Sequence, residues 1–184
     1  MSKTGVLLIN LGTPNNCDFK SVYGYLTEFL NDPRIIDLPK LVRWILSNLI
    51  IIPLRCKKSA HAYQKIWTEE GSPLLIHSQK LQSALAAELG RDYQIEIAMR
   101  YGNPAIKTAL KNLRHCNRLI AIPLFPQYSS AATGSAIAKL LHELTKQWNI
   151  PELKIFRDFY SNAGFIQSYA DIIKENIGNK KPDL

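Results

Sequence analysis

Leu119-Ile-Ala-Ile-Pro-Leu124 is apolar at every position and too short for a typical helix, the pattern of a strand covered on both faces. Further short apolar runs occupy Gly5 to Asn10 and Gln94 to Met99, and a weaker one, interrupted by Arg157 and Asp158, occupies Leu153 to Phe159. Between and around them lie helical periodicities at Phe19 to Leu30, Lys40 to Ile52, Ser59 to Trp67, Pro73 to Leu89, Pro104 to Leu113, Ala131 to Trp148 and Ala163 to Ile177. Strands alternating with helices predict an α/β fold: a parallel, four-stranded, Rossmann-like sheet with helices on both faces. The extra helices between the first and second strands predict an insertion at about residues 32–71.

The 184 residues suffice for one domain with a substantial core, and 46% hydrophobic with 21% charged residues is a globular balance. A net charge of +8 draws anions, but the basic residues are spread along the chain rather than gathered in a tail. A nucleic-acid partner is therefore not expected. Cys17, Cys56 and Cys116 stand far apart and form no C-x-x-C pair, which suggests a reducing cytosol. The opening Met1-Ser-Lys-Thr-Gly5 runs directly into Val6-Leu-Leu-Ile9, an apolar run too short for a signal peptide. The expected location is cytoplasmic.

Leu38 to Leu54 is strongly apolar, yet it carries Lys40, Arg43 and Asn48 and stops at Pro53, so it does not span a membrane. Two readings stand: a core helix, which is the simpler, and an exposed apolar lip over a greasy ligand or against a membrane surface.

Pro123-Leu-Phe-Pro-Gln-Tyr-Ser-Ser-Ala-Ala-Thr-Gly-Ser135 joins the third strand to a helix through a turn crowded with hydroxyls. In open parallel sheets ligands lie outside the carboxyl ends of strands, although Ser and Thr are also favoured there for helix capping alone. The first strand is expected to end in a tight turn, Asn10-Leu-Gly-Thr-Pro14, exposing amides near Gly12. The second places Arg100 and Tyr101 at the same edge, so three polar strand ends converge on one crevice. A dinucleotide fingerprint and a P-loop are both missing. His61, His77, His115 and His142 fall away from strand ends and read as structural, and no G-x-S-x-G elbow activates Ser129 or Ser130. The serines read as binding groups.

Taken together, Asn10-Leu-Gly-Thr-Pro14, Phe29-Leu-Asn-Asp-Pro-Arg34, Gly71-Ser-Pro-Leu74, Arg100-Tyr101 and Pro126-Gln-Tyr-Ser-Ser-Ala-Ala-Thr-Gly-Ser135 resemble, in order, the motifs of the ferrochelatases. These enzymes insert ferrous iron into a porphyrin to form haem. The resemblance implies that residues 1–184 are the amino-terminal chelatase domain and that a second, similar α/β domain lies beyond Leu184. It implies that the essential histidine and its glutamate partner lie there too, so this chain would hold no catalytic or metal-binding residue and be inactive alone. Leu11 resembles the apolar position beside the macrocycle, Arg55, Tyr63 and Ser72 the porphyrin-pocket residues, and Arg100 and Tyr101 the inner pocket pair. Phe125 stands where some members have Tyr, and Ser129 matches a polar pocket position. Ser130 replaces the cysteine by which animal enzymes hold an iron–sulfur cluster, so no cofactor is expected and ferrous iron enters as substrate. The run Lys40 to Leu54 resembles the mobile lip over the pocket and implies peripheral membrane contact. A related cobalt or nickel tetrapyrrole chelatase, and a non-catalytic porphyrin or haem carrier, remain alternatives.

Overall fold

The computed structural model describes residues 3–178. Four parallel strands, β1 (Thr4–Thr13), β2 (Tyr93–Gly102), β3 (Arg118–Pro123) and β4 (Glu152–Ile155), form one sheet in the order β2-β1-β3-β4. The helices are α1 (Phe19–Leu30), α2 (Lys40–Ile45), α3 (Ile52–Ile66), α4 (Pro73–Leu89), α5 (Ile106–Asn112), α6 (Ser135–Leu144) and α7 (Ala163–Ile177).

The two-residue period of a strand sends neighbouring side chains to opposite faces. Leu7 and Ile9 of β1, with Leu119 and Ala121 of β3, meet Ile106 and Leu110 of α5, Leu113 just after it, and Ala136, Leu140 and Leu144 of α6. Val6, Leu8 and Ile95 turn the other way, toward Leu85 of α4. On that second face Ile120, Ile122 and Leu124 are only partly buried. A satellite core joins Val22 of α1 to Ile52, Cys56 and Ala60 of α3.

Strand positions match the apolar runs, while several element ends differ from expectation. β1 does not turn at Asn10: it runs on to Thr13, with Gly12 opposite Tyr101. Gly12 has φ 116°, and a Cβ there would lie 1.9 Å from the Tyr101 carbonyl oxygen. That glycine serves close strand approach rather than an exposed amide turn. β4 ends at Ile155 instead of reaching Phe159, before the polar Arg157-Asp158 pair. α6 begins at Ser135 after a π-helical turn over Ser130–Gly134, and it ends at Leu144 rather than Trp148.

The insertion differs most from expectation. Helix does not stop at Pro53 and restart at Ser59; it continues from Lys40 to Ile66 through a π-helical segment, Leu46–Ile51. There the Ile52 N–H donates to the Ser47 carbonyl, one residue farther back than in an α-helix. Proline inside an α-helix removes a donor and clashes with the carbonyl four residues earlier; the wider turn just before Pro53 relieves that conflict. Nor does the stretch Lys40 to Leu54 form a core helix. Within it, Leu41, Trp44, Leu49 and Leu54 are 50–77% exposed, and only Ser47 and Ile52 are buried. Ser47 Oγ donates to the Leu30 carbonyl, and Asn48 Nδ2 donates to Trp44 O and Asn31 Oδ1, pinning the lip to the end of α1.

Candidate functional site

The carboxyl edge of the sheet is organised around a carboxylate that no strand supplies. Asp32 lies just after α1, where Asp-Pro-Arg makes a local turn: its Oδ1 accepts the Arg34 N–H at 2.7 Å. Its Oδ2 accepts from Arg100 Nη2, from Tyr101 Oη at 2.8 Å and from Ser135 Oγ. Arg100 Nε in turn donates to Ser135 Oγ at 2.6 Å and to the Ser135 carbonyl at 3.2 Å. The guanidinium also stacks over the Tyr101 ring, 4.3 Å from its centroid. β2, α6 and the insertion are thus tied at one atom.

Burial by itself would raise the Asp32 pKa. The hydrogen bonds from Ser135, the Arg34 amide and Tyr101, with the Arg100 charge, outweigh it and hold the carboxyl below its ordinary range. Tyr101 is pushed upward, chiefly by burial. At neutral pH the cluster is therefore an ionised carboxylate with its acceptor sites filled, beside a phenol that keeps its proton. It holds geometry; it does not shuttle protons.

The crevice expected between Gly12, Arg100, Tyr101 and Ser129 is therefore filled at its base. Tyr101 is wholly buried and packs edge-on against Phe29 at 5.1 Å and Tyr25 at 6.4 Å. The aromatic row continues from Tyr25 to Tyr63 and from Tyr63 to Trp67, at 6.2 and 6.3 Å. Burial raises the Tyr63 pKa. Tyr63 is half-buried, and Ser72, at the start of α4, is buried beside a shallow cavity of about 500 Å³ shared with Trp67, Asn15 and Asn103. Leu11 is half-buried, its N–H donating to Asn10 Oδ1 at 2.8 Å. Arg55 is exposed on α3, in the turn after Pro53.

Around the hydroxyl-rich turn, Phe125 is half-buried against the main core, while Ser129 and Ser130 are exposed. Ser130 Oγ accepts from Arg34 Nη1 at 3.0 Å, so the turn that carries Asp32 also reaches the β3–α6 loop. Gly134 makes room for this contact: a Cβ there would come within 3.1 Å of both Arg34 Nη1 and Tyr128 Oη. Arg157 stacks on Tyr128, 4.2 Å from the ring centroid. Exposed hydroxyls and guanidinium groups thus sit together at this edge, ready to meet a carboxylate.

Asp32, Arg34 and Ser135 carry no chemical signature of their own in the sequence, although all three lie inside the motifs quoted above. The legible signal was the Asn-Asp-Pro-Arg turn, because Asp before Pro favours a side-chain-to-backbone bond. The four histidines are exposed, and among the described residues no group of three His, Cys, Asp or Glu side chains is placed to hold a metal ion. No helix among them is long and apolar enough to cross a membrane.

Comparison with known proteins gives this geometry a family. A family model described as Ferrochelatase matches residues 3–183. The chain is 55% identical to a ferrochelatase of Legionella pneumophila (strain Paris) over 175 residues, which is 95% of this chain and 53% of that protein. It is 46% identical to a ferrochelatase of Coxiella burnetii over 184 residues, which is 99% of this chain and 51% of the relative. The chain spans about half the length of these relatives. The matched residues take in the whole sheet, the insertion and the carboxyl-edge cluster, and the chain accordingly belongs to the ferrochelatase family.

Proposed function

We propose that this chain is the porphyrin-gripping half of a two-half, protoporphyrin-type ferrochelatase. The whole protein would insert ferrous iron into protoporphyrin IX, releasing two pyrrole protons and forming protohaem. The observation that carries the reading is the family match across residues 3–183, with relatives twice as long.

The physical chemistry supports it. Porphyrin is a flat apolar disc bearing two propionates, so its site needs apolar walls with cations and hydroxyls at the rim. Leu11, Phe125, Tyr63 and the exposed lip supply apolar surface, and Arg100 and Tyr101 brace the edge from beneath. Arg55 on α3 and Ser129 and Ser130 on the β3–α6 loop are exposed and suited to propionate oxygens. Gripping the rim offsets the cost of bending the macrocycle, which presents pyrrole nitrogens to metal and base. The base and metal-handling groups belong to the other half, and ferrous iron is a substrate rather than a resident cofactor. Ser130 offers a hydroxyl instead of a cluster-binding thiolate, so the reading includes no iron–sulfur cluster.

The lip supports a reading of location. Leu41, Trp44, Leu49 and Leu54 project from a segment that also bears Lys40 and Arg43, the composition of a surface resting on anionic lipid. We place the protein in the cytoplasm, against the inner face of the membrane.

The test joins this chain to the remaining half of the Legionella relative and measures ferrous iron insertion anaerobically by the loss of porphyrin fluorescence. Insertion by the joined protein, none by the 184 residues alone, and weaker porphyrin binding in Arg55→Ala are expected. A folded joined protein without insertion would refute the reading, and tight porphyrin binding by it without turnover would favour a carrier.

A further inference from the structure

The helix α7 has no role in the site. It spans 15 residues, is capped by Asn162, whose side chain accepts the Phe165 N–H, and buries no residue. Ile166, Tyr169, Ile172 and Ile173 are 54%, 55%, 55% and 52% exposed. At 100° per residue these four fall within about 120° of arc, while Gln167, Ser168, Asp171, Lys174 and Glu175 take the opposite side. The pattern is that of a helix built to seat an apolar stripe, and the stripe is bare.

Its aromatic attachment lies in the first turns: Phe165 meets Phe159 at 5.1 Å, and Tyr169 meets Phe165 at 4.7 Å. A helix after a strand in an α/β unit ordinarily returns to cover the sheet. Among the described residues α7 adds no side chain to the core clusters on either face of the sheet, and Ile120, Ile122 and Leu124 on the α4 side stay only partly buried. A 15-residue helix without tertiary packing is marginal in water, so the stripe needs a cover. The relatives carry about as much chain again as this one, and α7 closes the described part of the match.

We propose that the Ile166, Tyr169, Ile172 and Ile173 face of α7 docks on the second half of the whole protein, so that α7 packs with that half although it follows β4 of this one. The proposal rests on the two-half reading above. α7 is then both linker and interface: the Phe159–Phe165 pair anchors its start here, and its stripe fixes how the two halves face each other across the porphyrin.

Hydrogen–deuterium exchange of the 184-residue chain and of the same chain joined to the remaining Legionella half tests this. Amides of residues 166–177 are expected to exchange at least about tenfold more slowly in the joined protein, and Ile172→Glu with Ile173→Glu to return them to the rate of the chain alone. Equal exchange in both proteins overturns the proposal. In the 184-residue chain the same double substitution is expected to leave the melting temperature unchanged, because Ile172 and Ile173 are more than half exposed and belong to none of the described core clusters. A clear fall would place α7 on this half's own sheet and overturn it. A concentration-dependent dimer abolished by the substitution would assign the face to a second copy and also overturn it. Iron insertion separates this from the functional reading. Insertion with an unprotected α7 sinks the docking alone, and a protected α7 without insertion sinks the function alone.

Discussion

Asp32→Asn keeps the shape of the side chain and removes its charge, and it tests the claim that one buried carboxylate ties the insertion to the sheet. The Asp32 side chain is 2% exposed and that of Arg100 is 13% exposed, so water cannot replace either partner. Three side-chain donors aim at Oδ2 and a backbone amide at Oδ1. Adding four charged hydrogen bonds at about 1.5–3 kcal/mol each would overcount, because they share one acceptor group. Breaking a buried ion pair from one side costs about 3–5 kcal/mol, and that is the expected loss. For a domain of this size about 2–4 °C of melting temperature goes with each kcal/mol, so the melt should fall by about 6–20 °C. Circular dichroism melts at pH 7 measure it. The double variant Asp32→Asn with Arg100→Met should recover part of the loss, since the orphaned cation is then gone. The folded-state pKa of Asp32 lies below the usual 3.8, so its contribution is present above that value and fades as pH falls through the lower folded value. The wild-type and Asn proteins should therefore converge in stability under acid. A fall of less than about 2 °C at pH 7, or a difference that persists unchanged in acid, would refute the anchor.

Gly12→Ala should destabilise the fold by about 3 kcal/mol or more, read by urea unfolding, because it combines φ 116° with a Cβ 1.9 Å from the Tyr101 oxygen. Glu143, held near pKa 2 by Lys139 and Lys146 against the opposing effect of burial, contributes above the usual 4.5 and loses that contribution as pH falls toward 2. Glu143→Gln should cost under about 1 kcal/mol, a difference that shrinks in high salt, because both lysines are partly exposed. Leu41→Ser with Leu54→Ser should leave stability within about 0.5 kcal/mol, since both side chains are exposed, yet lower recovery with anionic vesicles in a flotation assay.

Strands and helices were legible where a short periodicity governs them. Leu7 and Ile9 against Val6 and Leu8 state the two faces of β1 within four residues, and the sheet kept that alternation. The lip was ambiguous for a physical reason: an apolar helix reads alike whether its neighbour is a core, a ligand or a bilayer. Pro53 misled in the same way, because proline ends a helix only where the preceding turn stays α-helical, and the π-helical segment does not. Gly12 reads as a turn in the sequence, since a lone glycine does not reveal which backbone approaches it; Tyr101, 89 residues away, is the answer.

The sequence by itself determined the parallel α/β architecture, the hydroxyl-rich loop after β3 and the family to which the chain belongs, because each rests on residues adjacent along the chain. Tertiary structure alone decided that Asp32 meets Arg100 across 68 residues and Ser135 across 103. It alone decided that the lip and the α7 stripe stay bare. Partnership between distant side chains, and the lack of it, depends on how elements are brought together in space, and local periodicity carries no record of that.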